Sequence, residues 1–299
     1  MAGKIVIPEE LKKELPQSSW GKILGATPIV MAVIATMLAG LASSEMTKAQ
    51  YDRSLAAQLQ SKAGDQWSYY QAKKLRSSVA RNTLDLLATT AEIRPLDAAV
   101  LEDADAVTIA ALTKNEIPAA TPAKFDDNIQ AALVAVESSK PETDVTVLLE
   151  KIKITKDSDP LANALMAAKD AANQFDAATK AINKASDKFD ERLMLGDRDI
   201  FRAFSAARLR YAATRYETEA RLNQSIAGIY ELQVRKGNFT AERHHRRSGK
   251  FFFGMLAAQM GVIIATFAIA ARQKSFLWAV AAAAGTAAVS FSLYVYLYV

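Results

Sequence analysis

Three stretches of this chain carry no Asp, Glu, Lys, Arg or His, and they limit its fold more than any other feature. Ile23 to Ser43 reads ILGATPIVMAVIATMLAGLAS, and Phe251 to Ala271 and Phe276 to Val299 are apolar in the same way. At about 1.5 Å rise per residue, a helix of about 20 residues covers the roughly 30 Å of a bilayer's hydrocarbon. There is no water in that layer to satisfy backbone groups, so each stretch is expected to be a transmembrane helix. The first run ends in small residues, LAGLAS, as a cleaved signal peptide would. However, a long polar region precedes it and the run exceeds the usual apolar core of such a signal, so an uncleaved span is expected. Pro28 falls in the first turns of this span, where a missing backbone donor costs least.

The average composition hides this partition. Hydrophobic residues make up 51% of the 299, a soluble-looking figure, but they concentrate in the apolar blocks while the middle is rich in Ala, Lys, Asp and Gln. Cysteine is absent, which excludes disulfides, thiolate metal sites and thiol catalysis. The net charge of +5 gathers beside the second span in ERHHRRSGK. Lipid phosphates are therefore the expected anionic partner, and nucleic acid is not. Arg243, Arg246, Arg247 and Lys250 are the candidate headgroup contacts. Glu242 and His245 have the Glu-x-x-His spacing of bundle metal sites, but such sites need two of these motifs plus two further carboxylates, and the chain has 2 His in all. No metal or cofactor is expected.

The second and third spans are separated only by RQKS, which predicts a tight hairpin. Gly254 and Ala258, Ala257 and Gly261, Ala281 and Gly285, and Ala284 and Ala288 are small residues four apart. Small residues at that spacing let helix backbones approach closely where dispersion drives association. Gly254, Ala258, Gly261, Ala281 and Gly285 are the candidate packing positions. Gln259 is the one long polar side chain within the spans.

Residues 44–94 continue the first span as strong helix formers, so one long outgoing helix is expected. Trp67 would stand about 35 Å beyond the apolar edge at the helical rise, too far for an interfacial belt, and must pack on protein. Trp67, Tyr70, Gln71 and Lys74 share one helical face and are the candidate stalk contacts, with a possible cation and ring contact between Tyr70 and Lys74. The expected partner is a returning helix over 160–250. There Leu161, Leu165, Ala168, Ala172, Phe175, Thr179, Ile182, Ser186, Phe189 and Leu193 alternate four and three apart, the seam of a coiled coil. DSDP supplies its cap and first-turn proline. After Gly196 the pattern loosens, and Gly237 and Asn238 interrupt it. Proline-punctuated stretches over 95–159, one opening at Thr121 and Pro122, predict a cap of short helices.

The fold class is therefore all-α: a polar tail (1–22), a first span (23–43), an outgoing stalk helix (44–94), a helical cap (95–159), a returning helix (160–250) and a two-span hairpin (251–299). No GxSxG, P-loop, GxGxxG or HExxH pattern is present, so hydrolase, nucleotide-binding and zincin chemistries lack their anchor. Lys and Arg near the span ends on the stalk side outnumber those on the other side by nine to six, which leans the stalk toward the cytoplasm. Arg272 and Lys274, in a very short loop, argue the reverse.

KIVIPEELKKEL, the first span, SKAGDQWSYYQAKKLR and the closing hairpin together resemble a bacterial membrane-protein family designated domain of unknown function 4337. The signature is carried by Asp65, Gln66, Trp67, Tyr69, Tyr70, Gln71, Ala72 and Lys73. It covers both ends of the chain, while the middle, from about Thr89 to Asp159, matches poorly. The resemblance implies three spans in a bacterial inner membrane and implies no activity. The expectation is a non-enzymatic structural or assembly protein, a homo-oligomer or membrane-complex subunit in contact with lipid. The alternative is an oligomeric channel or transport accessory.

Overall fold

The structure is a computed structural model describing residues 19–120, 123–153, 158–270 and 276–298, the side chains of 19–24 and 270 excepted. Most of the polar tail, the Thr121 and Pro122 helix start and the loop between the last two spans lie outside the described residues. Among those described there are seven α-helices, one short 3-10 turn and no strand. In order they are α1 (Ser19–Thr90), the 3-10 turn Ala98–Leu101, α2 (Ala106–Lys114), α3 (Asp127–Glu137), α4 (Glu142–Lys151), α5 (Pro160–Leu193), α6 (Arg198–Ala270) and α7 (Phe276–Tyr298). Helices α1, α6 and α7 are long and apolar enough to cross a membrane, as the three charge-free runs predict. Two compact units result: a span unit, from residues up to Ser54 and from Gly237 onward, and a bundle unit, Leu55–Lys236.

Within the bundle unit, α1 and α6 run antiparallel, with Ser77 Oγ donating to the Ala213 carbonyl at 2.9 Å and Lys74 Nζ to Glu217 Oε1 at 2.7 Å. Their contact is an alanine seam. Ala56, Ala63 and Ser77 on α1, and Ala206, Ala213, Ala220, Ala227 and Val234 on α6, recur at multiples of seven and are all buried. Small side chains at heptad spacing let the two backbones come close. The predicted outgoing helix is present. Its partner differs from the one expected, because 160–250 is not a single helix: a turn at 194–197 separates α5 from α6. The reason is local. Gly196 follows the end of α5, and Asp197 Oδ1 accepts from the Asp199 and Ile200 amides at 2.7 and 3.1 Å, capping α6. Those backbone donors hold the Asp197 carboxyl below its ordinary range.

Helix α5 therefore folds back along α6. Arg208 pairs with Asp187 and Asp190 at 2.8 and 2.6 Å, and Lys169 reaches the Tyr230 hydroxyl at 2.8 Å. The predicted α5 seam is buried at Leu161, Ala168, Phe175, Thr179, Ile182, Ser186 and Phe189, but α6 receives it. Asp159 caps α5 through the Leu161 and Ala162 amides ahead of Pro160, as DSDP predicts. The short helices begin near the turn and descend beside α6. Leu101 packs with Phe189 and Phe204, Asn115 bonds Thr214, and Lys236 donates to the Leu149 and Ile152 carbonyls. Their apolar faces join α1, α5 and α6 in one core of Ala63, Ile129, Leu133, Val145, Leu149, Leu161 and Ile229. The unit is thus a four-segment up-and-down bundle whose second segment is broken into pieces.

Helix α6 also passes through Gly237 and Asn238 without the expected interruption. An interior Gly costs about 1 kcal/mol against Ala, less than burial of Leu232, Val234 and Ala241 on the adjoining turns recovers. Pro28 likewise lies inside α1, not at its start, because the helix begins at Ser19.

Candidate functional site

In the span unit the predicted small residues sit at helix crossings. Ala258 and Ala281 are fully buried. A Cβ on Gly254 would stand 3.2 Å from Ser292 Oγ and 3.4 Å from Leu38 Cδ1, touching α7 and α1 together. Met31 of α1 enters a notch between Gly261 and Gly285, where a Cβ on Gly285 would lie 2.5 Å from its sulfur. At these positions glycine lets the helices approach closely, and a side chain there would have to displace Met31, Leu38 or Ser292. Met31, Leu38, Ala42, Phe251, Ala288 and Val295 form the surrounding core. Sequence spacing found the glycines and missed Met31, whose i+7 neighbour Leu38 belongs to the same stripe. Gln259 is on the exposed surface of α6.

Just beyond the first span, a polar cluster ties α1 to α6. Ser248 Oγ donates to the Ala42 carbonyl at 2.7 Å, and His244 Nδ1 lies 2.6 Å from Glu45 Oε2, with Nε2 4.0 Å from Asp52 Oδ2. Burial works to raise the Glu45 pKa, but hydrogen bonds from Lys48 and His244 and their charge outweigh it and hold it below the ordinary value. At Asp52 burial prevails over His244 and raises the pKa. Among the predicted headgroup residues, Arg243 and Arg246 are exposed and Arg247 and Lys250 half-buried. Arg246 is occupied by Glu242 at 3.0 Å. Arg53 also approaches Glu242, at 3.6 Å. The sequence signalled the basic strip and contains Glu242, the partner of Arg246, but not the partners of His244, because Glu45 and Asp52 come from α1.

In the bundle unit the predicted stalk residues are brought only partly together. Trp67 and Tyr70 are half-buried and meet edge to face, centroids 5.5 Å apart. Trp67 thus packs on protein, but only half-buried and beside the seam, which alanines occupy. Gln71 is exposed. Lys74 reaches Glu217 and makes no cage with Tyr70. It is Lys73 that lies over a ring, 5.5 Å from that of Tyr216. Glu217 gathers Lys74 at 2.7 Å with Arg81 and Arg221 at 3.7 Å. The Lys74 hydrogen bond, aided by the cationic field and opposed by burial, holds its pKa below the usual value. Burial and the nearby Glu219 charge, opposed by Arg215, push the Tyr211 phenol up to about 12. No group of three or more His, Asp or Glu with metal-binding geometry occurs among the described residues.

No curated protein and no solved structure matches the chain. A family model described as a domain of unknown function (DUF4337) matches residues 20–183. The match runs from the start of α1 through the short helices into α5. It therefore includes the middle that was expected to match poorly, and it stops before α6 and the closing hairpin. With more than half its length covered, the chain belongs to this DUF4337 family.

Proposed function

We propose that this chain is a non-catalytic assembly protein of a bacterial inner membrane. In this reading its three spans cross the bilayer, its bundle faces the cytoplasm, and it acts as a homo-oligomer or as a subunit of a larger membrane complex. The reading is carried by Gln259, whose amide is exposed on the outer surface of an apolar span. A polar side chain at that depth gains most by hydrogen-bonding another helix, and a second copy supplies one. Exposed Tyr69, Leu75, Val79 and Leu86 on α1 of the bundle unit add apolar surface of the kind that marks protein contacts. The nine-to-six excess of Lys and Arg supports the cytoplasmic side.

The test is the mass of the full chain in lipid nanodiscs after gentle extraction, compared with Gln259→Leu. A complex larger than one copy that Gln259→Leu weakens supports the reading. A monodisperse single copy carrying no other protein overturns it. A conductance in planar bilayers would assign the assembly to a channel instead.

A further inference from the structure

One trough in the bundle unit is left open by the packing. Its floor is a stripe of α6 formed by Gln224, Gly228, Glu231 and Arg235, four, three and four apart and so on one face. Trp67 and Tyr70 of α1 form one wall, and the α3–α4 turn with Glu137 and Glu142 forms the other. At Gly228 the α3 helix comes close to the floor, since a Cβ there would stand 2.9 Å from a Leu133 methyl. The trough encloses about 650 Å³, within the range of about 300–1,000 Å³ typical of small-molecule sites.

Two properties of the walls select the ligand. The Trp67 and Tyr70 rings meet edge to face with their planes at 88°, so the pair itself uses part of one face and the angle between the planes forms a corner beside it. The negative faces of aromatic rings attract cations. The carboxylates also outnumber the cations available to them. Arg235 serves two acids, Nη1 donating to Glu142 and Nη2 to Glu231 at 3.0 Å, while its buried Nε meets no partner among the described residues, so two acids share one guanidinium. Glu137, on the exposed edge of the trough, meets the neutral Gln224 amide at 3.4 Å and no cation among the described residues. Lys140 sits on the exposed turn at the rim. With Glu137, Glu142 and Glu231 facing Lys140 and Arg235, the trough carries an excess of negative charge that disfavours an anion and favours a cation.

The geometry points to a binding site for an organic ammonium ion, seated in the Trp67–Tyr70 corner with Glu137 as its counter-ion. The site lies within one bundle and does not depend on how copies assemble.

The test uses the full chain in maltoside micelles with Trp20→Phe and Trp278→Phe, which leaves Trp67 as the sole indole reporter. Choline chloride is titrated at constant ionic strength beside its uncharged carbon isostere, dimethylbutanol. Choline is expected to give a saturable change in Trp67 emission and the isostere none. Tyr70→Leu and Glu137→Gln should each weaken binding by about 2–5-fold, the scale of one exposed cation–ring contact. Should the Trp-depleted chain fail to fold, choline-dependent protection of the otherwise unaltered chain against heating, lost in Trp67→Leu, reads the same site. A response without saturation, an equal response to dimethylbutanol, or unchanged binding in both Tyr70→Leu and Glu137→Gln overturns the proposal.

Discussion

His244 Nδ1 sits 2.6 Å from Glu45 Oε2, linking α6 to a carboxylate that is buried only two residues past the first charge-free run. A charged group in such a place persists only while it is paired. Replacing Glu45 by Gln is expected to lower the stability of the span unit by about 1.5–3 kcal/mol, the range for hydrogen bonds to charged groups. Because the folded pKa of Glu45 is depressed, its contribution is present above the unfolded value, about 4.5, and is lost as pH falls through the folded one. Thermal melts in detergent should therefore separate the parent chain from Glu45→Gln at pH 7, with the gap closing in acid below the ordinary carboxylate range. Equal melting at neutral pH would show that the pair contributes nothing.

Met31 and Gly285 should behave as one site. A bulky residue at Gly285 meets the Met31 sulfur, so Gly285→Leu is expected to cost about 1–3 kcal/mol through overpacking. Met31→Ala opens a cavity and costs about 2–5 kcal/mol. The double variant should recover part of the loss, measured as a positive coupling in a double-mutant cycle of detergent unfolding. Additive losses would place the two side chains apart.

The alanine seam predicts a strong dependence on which face of α1 is altered. Ala63→Leu forces the α1 and α6 backbones apart and should destabilise by about 1–3 kcal/mol. Ala72→Leu, on an exposed position nine residues later, should stay within about 0.5 kcal/mol. Chemical denaturation of the two variants decides, and similar midpoints would refute the seam.

Glu217 is the hub of a cationic cluster from both helices. Coupling between Lys74→Met and Glu217→Gln is expected at about 0.5–1.5 kcal/mol. With its pKa lowered chiefly by the Lys74 hydrogen bond, the coupling should hold at neutral pH and fade as the solution is acidified below about 4.5. A coupling that is the same at pH 7 and pH 3 would rule out an ionic origin.

The sequence by itself determined the apolar spans, the close-packing glycines, the long first helix and the capped start of α5. Each rests on a local cause: a charge-free run, small residues four apart, an uninterrupted string of helix formers, an Asp before a Pro. The α5 heptads were legible for the same reason, since a periodic apolar face must be buried somewhere. What local pattern does not contain is the identity of the partner. Ala49, Ala56 and Ala63 repeat on α1, and Ala213, Ala220 and Ala227 on α6, yet alanine is so common a helix former that the repeat does not stand out until both helices are seen together. Tertiary structure decided that this quieter seam joins α1 to α6 and that the α5 heptads pack on α6 instead of α1, while the break itself at Gly196 and Asp197 has a local cause. It also decided that Trp67 lines a trough, because close backbone approach through alanines leaves no room in the seam for an indole.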